Sequence, residues 1–326
     1  MAAQHHLESR IGMDYDINKI KRFVQDHFGL ALTKISKIES GVINTNFKVS
    51  TDHGRKYIFR VYNNRVREQV YFEKEVLNYL IKFRFISPKL IHSRTKEQVL
   101  LFENKPCVMY EYIDGKIQET FDNSLIFKIG AIEGRLHNIL IDFKPTAFKP
   151  SWEPTDLPDL IARHGAKFIK SGFPSAREIT DFVEKELTKY SFPNNLPSGV
   201  THQDIKPENV VLNNNEIVGL LDFDNSYVGA FIHDITTTII WTCFENHELK
   251  QDAVHSLLKG YSQERKLTRI EKENLLHAIK FRLVREIFIG PLVTPCYPEL
   301  SKKRADYFFE VYKKLEKDQK LRIVPE

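Results

Sequence analysis

The sequence predicts an α+β fold in two lobes, an N-terminal antiparallel sheet with one inserted helix and a C-terminal lobe that is mainly helical. Three observations carry this. Up to about residue 112, short β-branched and aromatic runs alternate with turn residues, interrupted by one amphipathic stretch. Past Ile113-Asp114-Gly115 the apolar spacing changes to that of helices. The chain has 326 residues, enough for two lobes that each bury a core.

Residues 1–12, MAAQHHLESRIG, lack the apolar stretch of a secretory signal and are set apart as a disordered leader or tag remnant, His5 and His6 being tag-like. The N-terminal lobe is placed at 13–112 and the C-terminal lobe at 113–326. From Asp16 to Phe28, Ile17, Ile20, Phe23, Val24 and Phe28 keep helical spacing, and Gly29 supplies a stop. Strands follow at 34–40, 46–51 and 56–62, with Asp52-His53-Gly54 as a hairpin turn. A helix over 67–83 carries Val70, Val76, Leu77 and Leu80, and Ser87-Pro88 ends the connection to strands at 98–103 and 106–112. One helix within an antiparallel series makes an α+β lobe.

Helical patterns then occupy 125–140, 176–187, 270–289 and 302–318. The last places Tyr307, Phe308, Val311, Tyr312 and Leu315 on one face, as packing on its own lobe requires. A compact island between Gly199 and Ser226 is the exception, with β runs at 210–212 and 217–223 flanking a polar turn. No internal repeat or low-complexity stretch appears.

Hydrophobic residues at 42% and charged residues at 28% fit a soluble globular protein. The net charge of +5 is spread along the chain, which suits anionic ligands such as nucleotides and is too diffuse for nucleic acid. Cys107, Cys243 and Cys296 lie far apart without metal-ligand spacing, so free thiols in a reducing compartment are expected. No apolar run approaches the ~18 residues of a membrane span, and a cytoplasmic location without membrane partners follows as an expectation.

The residues with most chemistry are THQDIKPENVVL (201–212) and GLLDFDNS (219–226). The first contains His202, Asp204 and Asn209. The second sets Asp222 inside an apolar strand, thirteen residues after Asn209. Phosphoryl transfer needs magnesium held against phosphates and an acceptor hydroxyl aimed in line. A carboxylate and an amide from two strand ends are hard oxygen ligands for magnesium. A further carboxylate a turn away takes the hydroxyl proton. A lone Asp is more often a cap or turn residue; two such motifs in order, bounded by β runs, favour the chemical reading.

These stretches resemble the catalytic loop and metal-binding Asp of the protein-kinase-like superfamily, in particular its aminoglycoside and choline kinase branch. The resemblance implies a two-lobed kinase-like fold, ATP and Mg2+ as cofactors, Asp204 as catalytic base or orienting group, Asn209 and Asp222 as magnesium ligands, and His202 as a brace. It also implies that Asp234, in His233-Asp234-Ile235 at a helix start, bonds the catalytic-loop backbone. VMYEYIDG (108–115) is similar to the hinge, where adenine would bond backbone groups of Tyr110 and Tyr112. SGVINTNFKV (40–49) stands where the nucleotide loop belongs, with a single glycine, Gly41, and with Ser40, Asn44, Thr45 and Asn46 as phosphate donors. Arg60 takes the place of the usual strand Lys, Lys48 and Lys56 being the alternatives, and pairs with Glu73, or with Glu75 in the other register. Lys206 is implied to contact the transferred phosphate.

A protein kinase would need a glycine-rich loop, a V-A-I-K strand and an A-P-E sequence, and would need room for an activation segment before His233-Asp234. These are missing, so a small-molecule hydroxyl acceptor is expected. The run at 42–46, WTCFEN (241–246) and the segment 260–286 resemble the bacterial type II homoserine kinases. IKPEN and DFDN depart from that family's forms, and an aminoglycoside, choline, methylthioribose or sugar acceptor would retain the same features. For an amino-acid acceptor, Arg282 or Arg285 would meet the carboxylate, and Asp224 and Trp241 the ammonium. A nucleotide-binding pseudokinase is the reading of another class, and the intact set Asp204, Asn209 and Asp222 argues against it.

Overall fold

The structure is a computed structural model that describes residues 15–39, 43–293 and 298–318. The leader at 1–12, Ser40, Gly41 and Cys296 lie outside the described residues. In chain order, the N-terminal half forms α1 (Ile17–Phe28), β1 (Leu32–Ile38), β2 (Thr45–Thr51), β3 (Lys56–Val61), α2 (Arg67–Lys82), β4 (Leu100–Phe102), β5 (Lys105–Glu111) and β6 (Lys116–Ile117). Then come α3 (Asn123–Leu140), α4 (Leu157–Ile169), α5 (Ala176–Leu187), β7 (Ser198–Thr201), β8 (Val210–Asn213), β9 (Glu216–Leu220) and β10 (Tyr227–Ala230). The chain continues as α6 (Phe231–Thr242), β11 (Phe244–Glu245), β12 (Glu248–Leu249), α7 (Gln251–Glu264), α8 (Arg269–Val293) and α9 (Pro298–Lys317).

Two compact units form. The first holds the chain to Ile117 together with Lys144–Lys149 and Val210–Asp224, and the second holds Gln118–Phe143, Pro150–Asn209 and the chain from Asn225. The first therefore recruits two later segments besides the stretch before residue 113.

The first unit is built on a five-stranded antiparallel sheet in the order β1-β2-β3-β5-β4. Strict alternation along β2, with Thr45, Phe47, Val49 and Thr51 buried, gives the sheet one apolar face. Helix α1 lays Ile20 and Val24 on that face against Phe47, Phe59, Phe102 and Met109. Asp16 caps α1 by accepting from Asn18 N at 2.8 Å, and Gly29 closes it in the left-handed conformation at φ 68°. The strand pair β8–β9 turns through Asn214 and Asn215 at φ 50° and 63°, the backbone of a type I′ turn. Glu103-Asn104 and Asn246-His247 turn β4–β5 and β11–β12 in the same way.

The second unit packs helices around α6, whose residues Phe231–Ile240 are all buried. Helices α3 and α7 approach so closely that a Cβ at Gly130 would stand 2.1 Å from the Leu257 carbonyl oxygen, and one at Gly260 1.9 Å from that of Phe127. Only glycine fits those two crossings. One expectation is corrected here. The strand 217–223 ends at Leu220, and Asp222 lies beyond it at φ 68°. Among the described residues, no helix is long and apolar enough to cross a membrane.

Candidate active site

In the second unit the loop after β7 is held by a buried carboxylate. Asp234, in the first turn of α6, accepts from His202 N at 2.6 Å and Gln203 N at 2.7 Å. The donors reach different oxygens, Oδ2 and Oδ1, and Oδ2 also contacts His137 Nε2 at 3.0 Å. An ionised Asp234 only accepts, so His137 carries its proton on Nε2, and Nδ1 accepts from the Tyr261 hydroxyl at 2.7 Å. Burial would raise the Asp234 carboxyl, but His137 and the loop amides hold it below its usual range. Neighbouring Glu133 is pushed well up by burial and by the Asp234 charge.

Those bonds stabilise a strained loop. Gln203 sits at φ 66°, a left-handed conformation that costs a non-glycine residue about 1–2 kcal/mol. Beyond it, Asp204 N donates to His202 Nδ1 at 3.2 Å. Asn209 Nδ2 donates to the Asp204 carbonyl at 2.8 Å and to Asp204 Oδ2 at 3.0 Å. Both partners are acceptors, so the amide must present its NH2 to them, which leaves Asn209 Oδ1 as its ligand-type oxygen. Lys206 Nζ stands 3.0 Å from Asp204 Oδ1. Burial opposes the charge on Lys206, and Asp204 restores it, so its ammonium ends above the ordinary range. The loop thus fixes one carboxylate between an ammonium and an amide.

The expected acceptor residues divide. Arg282 is committed to the loop, donating to Gln203 Oε1 at 2.7 Å, and forms an ion pair with Glu286 at 3.1 Å. Arg285 lies 3.3 Å from Glu286 and 5.8 Å over the Trp152 ring. Trp241 carries Arg304 at 4.4 Å and Lys206 at 5.7 Å over its ring. Asp224 belongs to the first unit and is buried among cations there, which corrects its assignment to an acceptor ammonium.

The first unit holds a second cluster. Arg60 on β3 donates from Nη1 to Asp222 Oδ1 at 2.7 Å and from Nε to Asn46 Oδ1 at 2.9 Å. Asn44 Nδ2 donates to Asp224 Oδ2 at 2.7 Å, and Arg65 Nε stands 3.6 Å from the same oxygen. Lys149 Nζ donates to the Asp224 carbonyl. Burial alone would raise the Asp224 carboxyl, but Arg65 and Lys149 hold it down at about 2. Burial and Arg65 together lower the Lys149 ammonium to about 8. Asp222 and Asn209 each offer oxygen, the donor type that Mg2+ prefers.

The expected pairing of Arg60 with Glu73 is corrected. Glu73 accepts from the hydroxyls of Tyr62 and Tyr110 at 2.8 Å each, and those hydroxyls lie 2.6 Å apart. Burial raises the Glu73 carboxyl despite Arg60. The ion-pair partner of Arg60 is Asp222 instead. Glu75 is occupied elsewhere, accepting from Thr146 N at 2.6 Å and Ala147 N at 3.3 Å. Lys48 and Lys56 lie 4.1 and 5.4 Å over the Tyr112 ring, and Lys56 also pairs with Asp114 at 2.7 Å.

At the expected hinge, Tyr110 stands opposite Ile58 in the β3–β5 ladder and Tyr112 N donates to Lys56 O at 3.2 Å, so the sheet takes the Tyr110 backbone and the Tyr112 N–H. Thr45 Oγ1 accepts from Asn63 Nδ2 at 3.1 Å and takes part in loop support. Sequence reasoning missed Arg65, Lys149, Glu286 and Arg304. Only Glu286 had a visible signal, its four-residue spacing from Arg282.

Residues 34–267 match the phosphotransferase enzyme family. The chain is 28% identical over 272 residues to the homoserine kinase of Zymomonas mobilis, covering 78% of this chain and 81% of that protein. It is 29% identical over 288 residues to the homoserine kinase of Beijerinckia indica, covering 82% and 84%. In fold it is similar to the amicoumacin kinase hAmiN in complex with AMP-PNP, Ca2+ and Ami (TM-score 0.71, 19% identity, 92% of this chain and 94% of that one). It is also similar to a choline kinase of Cryptosporidium parvum (TM-score 0.64, 16% identity, 92% and 96%). The kinase-like fold with an antiparallel N-terminal sheet and a helical C-terminal lobe is thereby established, and with it membership by sequence: this chain belongs to the phosphotransferase enzyme family.

Proposed function

We propose that the enzyme transfers the γ-phosphate of ATP, with Mg2+, to the hydroxyl of homoserine. The observation that carries this is the loop in which Asp204 is fixed between Lys206 and Asn209, on a backbone anchored to Asp234. Asp204 orients the acceptor hydroxyl and takes its proton. Asn209 in the second unit and Asp222 in the first each serve as a magnesium ligand through oxygen. Magnesium neutralises charge on the phosphates when it is bound. Arg60, with Asn44 and Asn46, receives the nucleotide phosphates, and Lys149 adds a cation to that group. Adenine contacts fall to the hinge stretch 108–115 that ends the sheet. The homoserine kinases to which the chain is similar support the choice of acceptor.

The test is ATP consumption by purified protein with homoserine, choline, aminoglycosides and simple sugars in parallel, followed by Asp204→Asn. Homoserine should give the highest kcat/KM. Positioned acid–base groups contribute about 10²–10⁴-fold, so Asp204→Asn should lower kcat by about that range while nucleotide affinity holds. A variant that transfers phosphate at the parental rate overturns the role of Asp204. Turnover with another acceptor alone overturns homoserine.

A further inference from the structure

Helices α8 and α9 concentrate positive charge beside the catalytic loop within the second unit. Three guanidiniums converge on the single carboxylate of Glu286, Arg282 at 3.1 Å, Arg285 at 3.3 Å and Arg304 at 2.9 Å. A fourth cation, Lys206, is paired with Asp204. Glu286 and Asp204 are the two carboxylates in direct contact with these four cations, while Asp234 acts on Arg282, Glu153 on Arg285 and Glu208 on Lys206 at longer range. The Nε atoms of all three arginines are buried and lack a hydrogen-bond partner among the described residues. Crowding is visible in the charges themselves. Burial and Arg285 lower Arg282 to about 10, and the three arginines hold Glu286 down at about 2 although its burial works the other way. A bound anion would give such crowded guanidiniums and an ammonium further acceptors.

The cations differ in access. Arg282 and Arg285 have 4% and 7% of their side chains exposed, whereas Lys206 has 22% and Arg304 36%. The two accessible ones share the Trp241 indole. We propose that Arg304 and Lys206, over Trp241, clamp a carboxylate of the acceptor, and so select carboxylated alcohols over amino alcohols and sugars. This deepens the kinase reading above and rests on it. Arg282 and Arg285 act behind the clamp, holding Glu286 and the loop. Because Lys206 touches Asp204, an anion on the far side of its ammonium stands within roughly 6 Å of the Asp204 carboxylate. That distance suits an acceptor whose hydroxyl lies only a few bonds from its carboxylate.

The experiment compares L-homoserine with its carboxyl-free alcohol, 2-amino-1,4-butanediol, and follows the KM for ATP alongside, in the parent, Arg304→Met and Arg304→Lys. The parent should prefer homoserine. Arg304→Met should raise the homoserine KM about 10- to 100-fold, as loss of one charge-assisted hydrogen bond does, and erase the preference while the KM for ATP holds. Arg304→Lys should keep the charge and part of the preference. A raised KM for ATP with the preference intact assigns the cations to nucleotide phosphate and overturns the proposal, as does no change in either. If neither compound is phosphorylated, the homoserine reading fails, and the clamp is read by fluorescence of the two tryptophans on titration with L-homoserine and with the alcohol. A response to the carboxylate alone that disappears in Arg304→Met upholds the clamp, and equal responses overturn it.

Discussion

Replacing Asp234 by Asn removes one charge and almost no volume, and the hydrogen-bond geometry sets the cost. In the native loop His202 N reaches Oδ2 at 2.6 Å while Gln203 N reaches Oδ1 at 2.7 Å. An asparagine has a single acceptor oxygen. Turned one way it serves His202 and presents its NH2 to the Gln203 N–H; turned the other way the roles exchange. In either rotamer one buried backbone donor faces another donor. The orphaned amide costs about 1–3 kcal/mol, and the surviving bonds lose their charge assistance, a further loss of about 1–2 kcal/mol. Together these amount to roughly 2–5 kcal/mol, against a usual total stability of about 5–15 kcal/mol. The left-handed Gln203 is held by one of the bonds at risk, so the loop should relax and carry Asp204 out of place. Asp234→Asn should therefore lower the urea midpoint and, in protein still folded by circular dichroism, cut single-turnover transfer at least 10-fold. A folded variant with parental stability and transfer rate would refute the claim that this carboxylate holds the loop.

Arg60→Ala should raise the KM for ATP at least about 10-fold and leave the acceptor KM unchanged, with Arg60→Lys in between; an ATP dependence like the parent's would exclude Arg60 from the phosphates. Lys149→Met tests the buried lysine by pH. Its ammonium is lowered from 10.5 to about 8 in the folded chain, so between those values the unfolded chain binds more protons and this group adds stability as pH rises. The parent should therefore gain up to about 3 kcal/mol relative to Lys149→Met between pH 8 and 10.5, measured by chemical denaturation. A difference that does not vary with pH would refute the lowered titration.

Most of the fold was legible because its elements repeat their apolar residues at one period. The alternation in β2 and the spacing of Ile20 and Val24 in α1 each specify a single face, and the structure buries those faces. Short elements escaped that reading. Strands β6, β11 and β12 have two residues each, too few for any period, and the β11–β12 turn uses Asn246-His247 where a glycine would have announced a hairpin. Helix α6 is buried on all sides, so its sequence shows no polar face by which its orientation could be read.

The site was legible where motif and local chain coincide, and obscure where chemistry depends on a partner distant in sequence. Asp204, Lys206 and Asn209 lie within six residues, so one loop conformation sets all their mutual distances. Arg60 and Asp222 are 162 residues apart, and no spacing rule joins them. Glu73 looked like the partner of Arg60 because both sign and position suited an ion pair. What decides against it is the solvation of the carboxylate. Enclosed and with its two oxygens taken by tyrosine hydroxyls, Glu73 has a carboxyl that burial raises, whereas Asp222, whose side chain is 29% exposed, takes the Arg60 guanidinium. A pairing rule that weighs only charge will misplace such residues, since burial and hydrogen bonds already made set what each carboxyl can offer a cation.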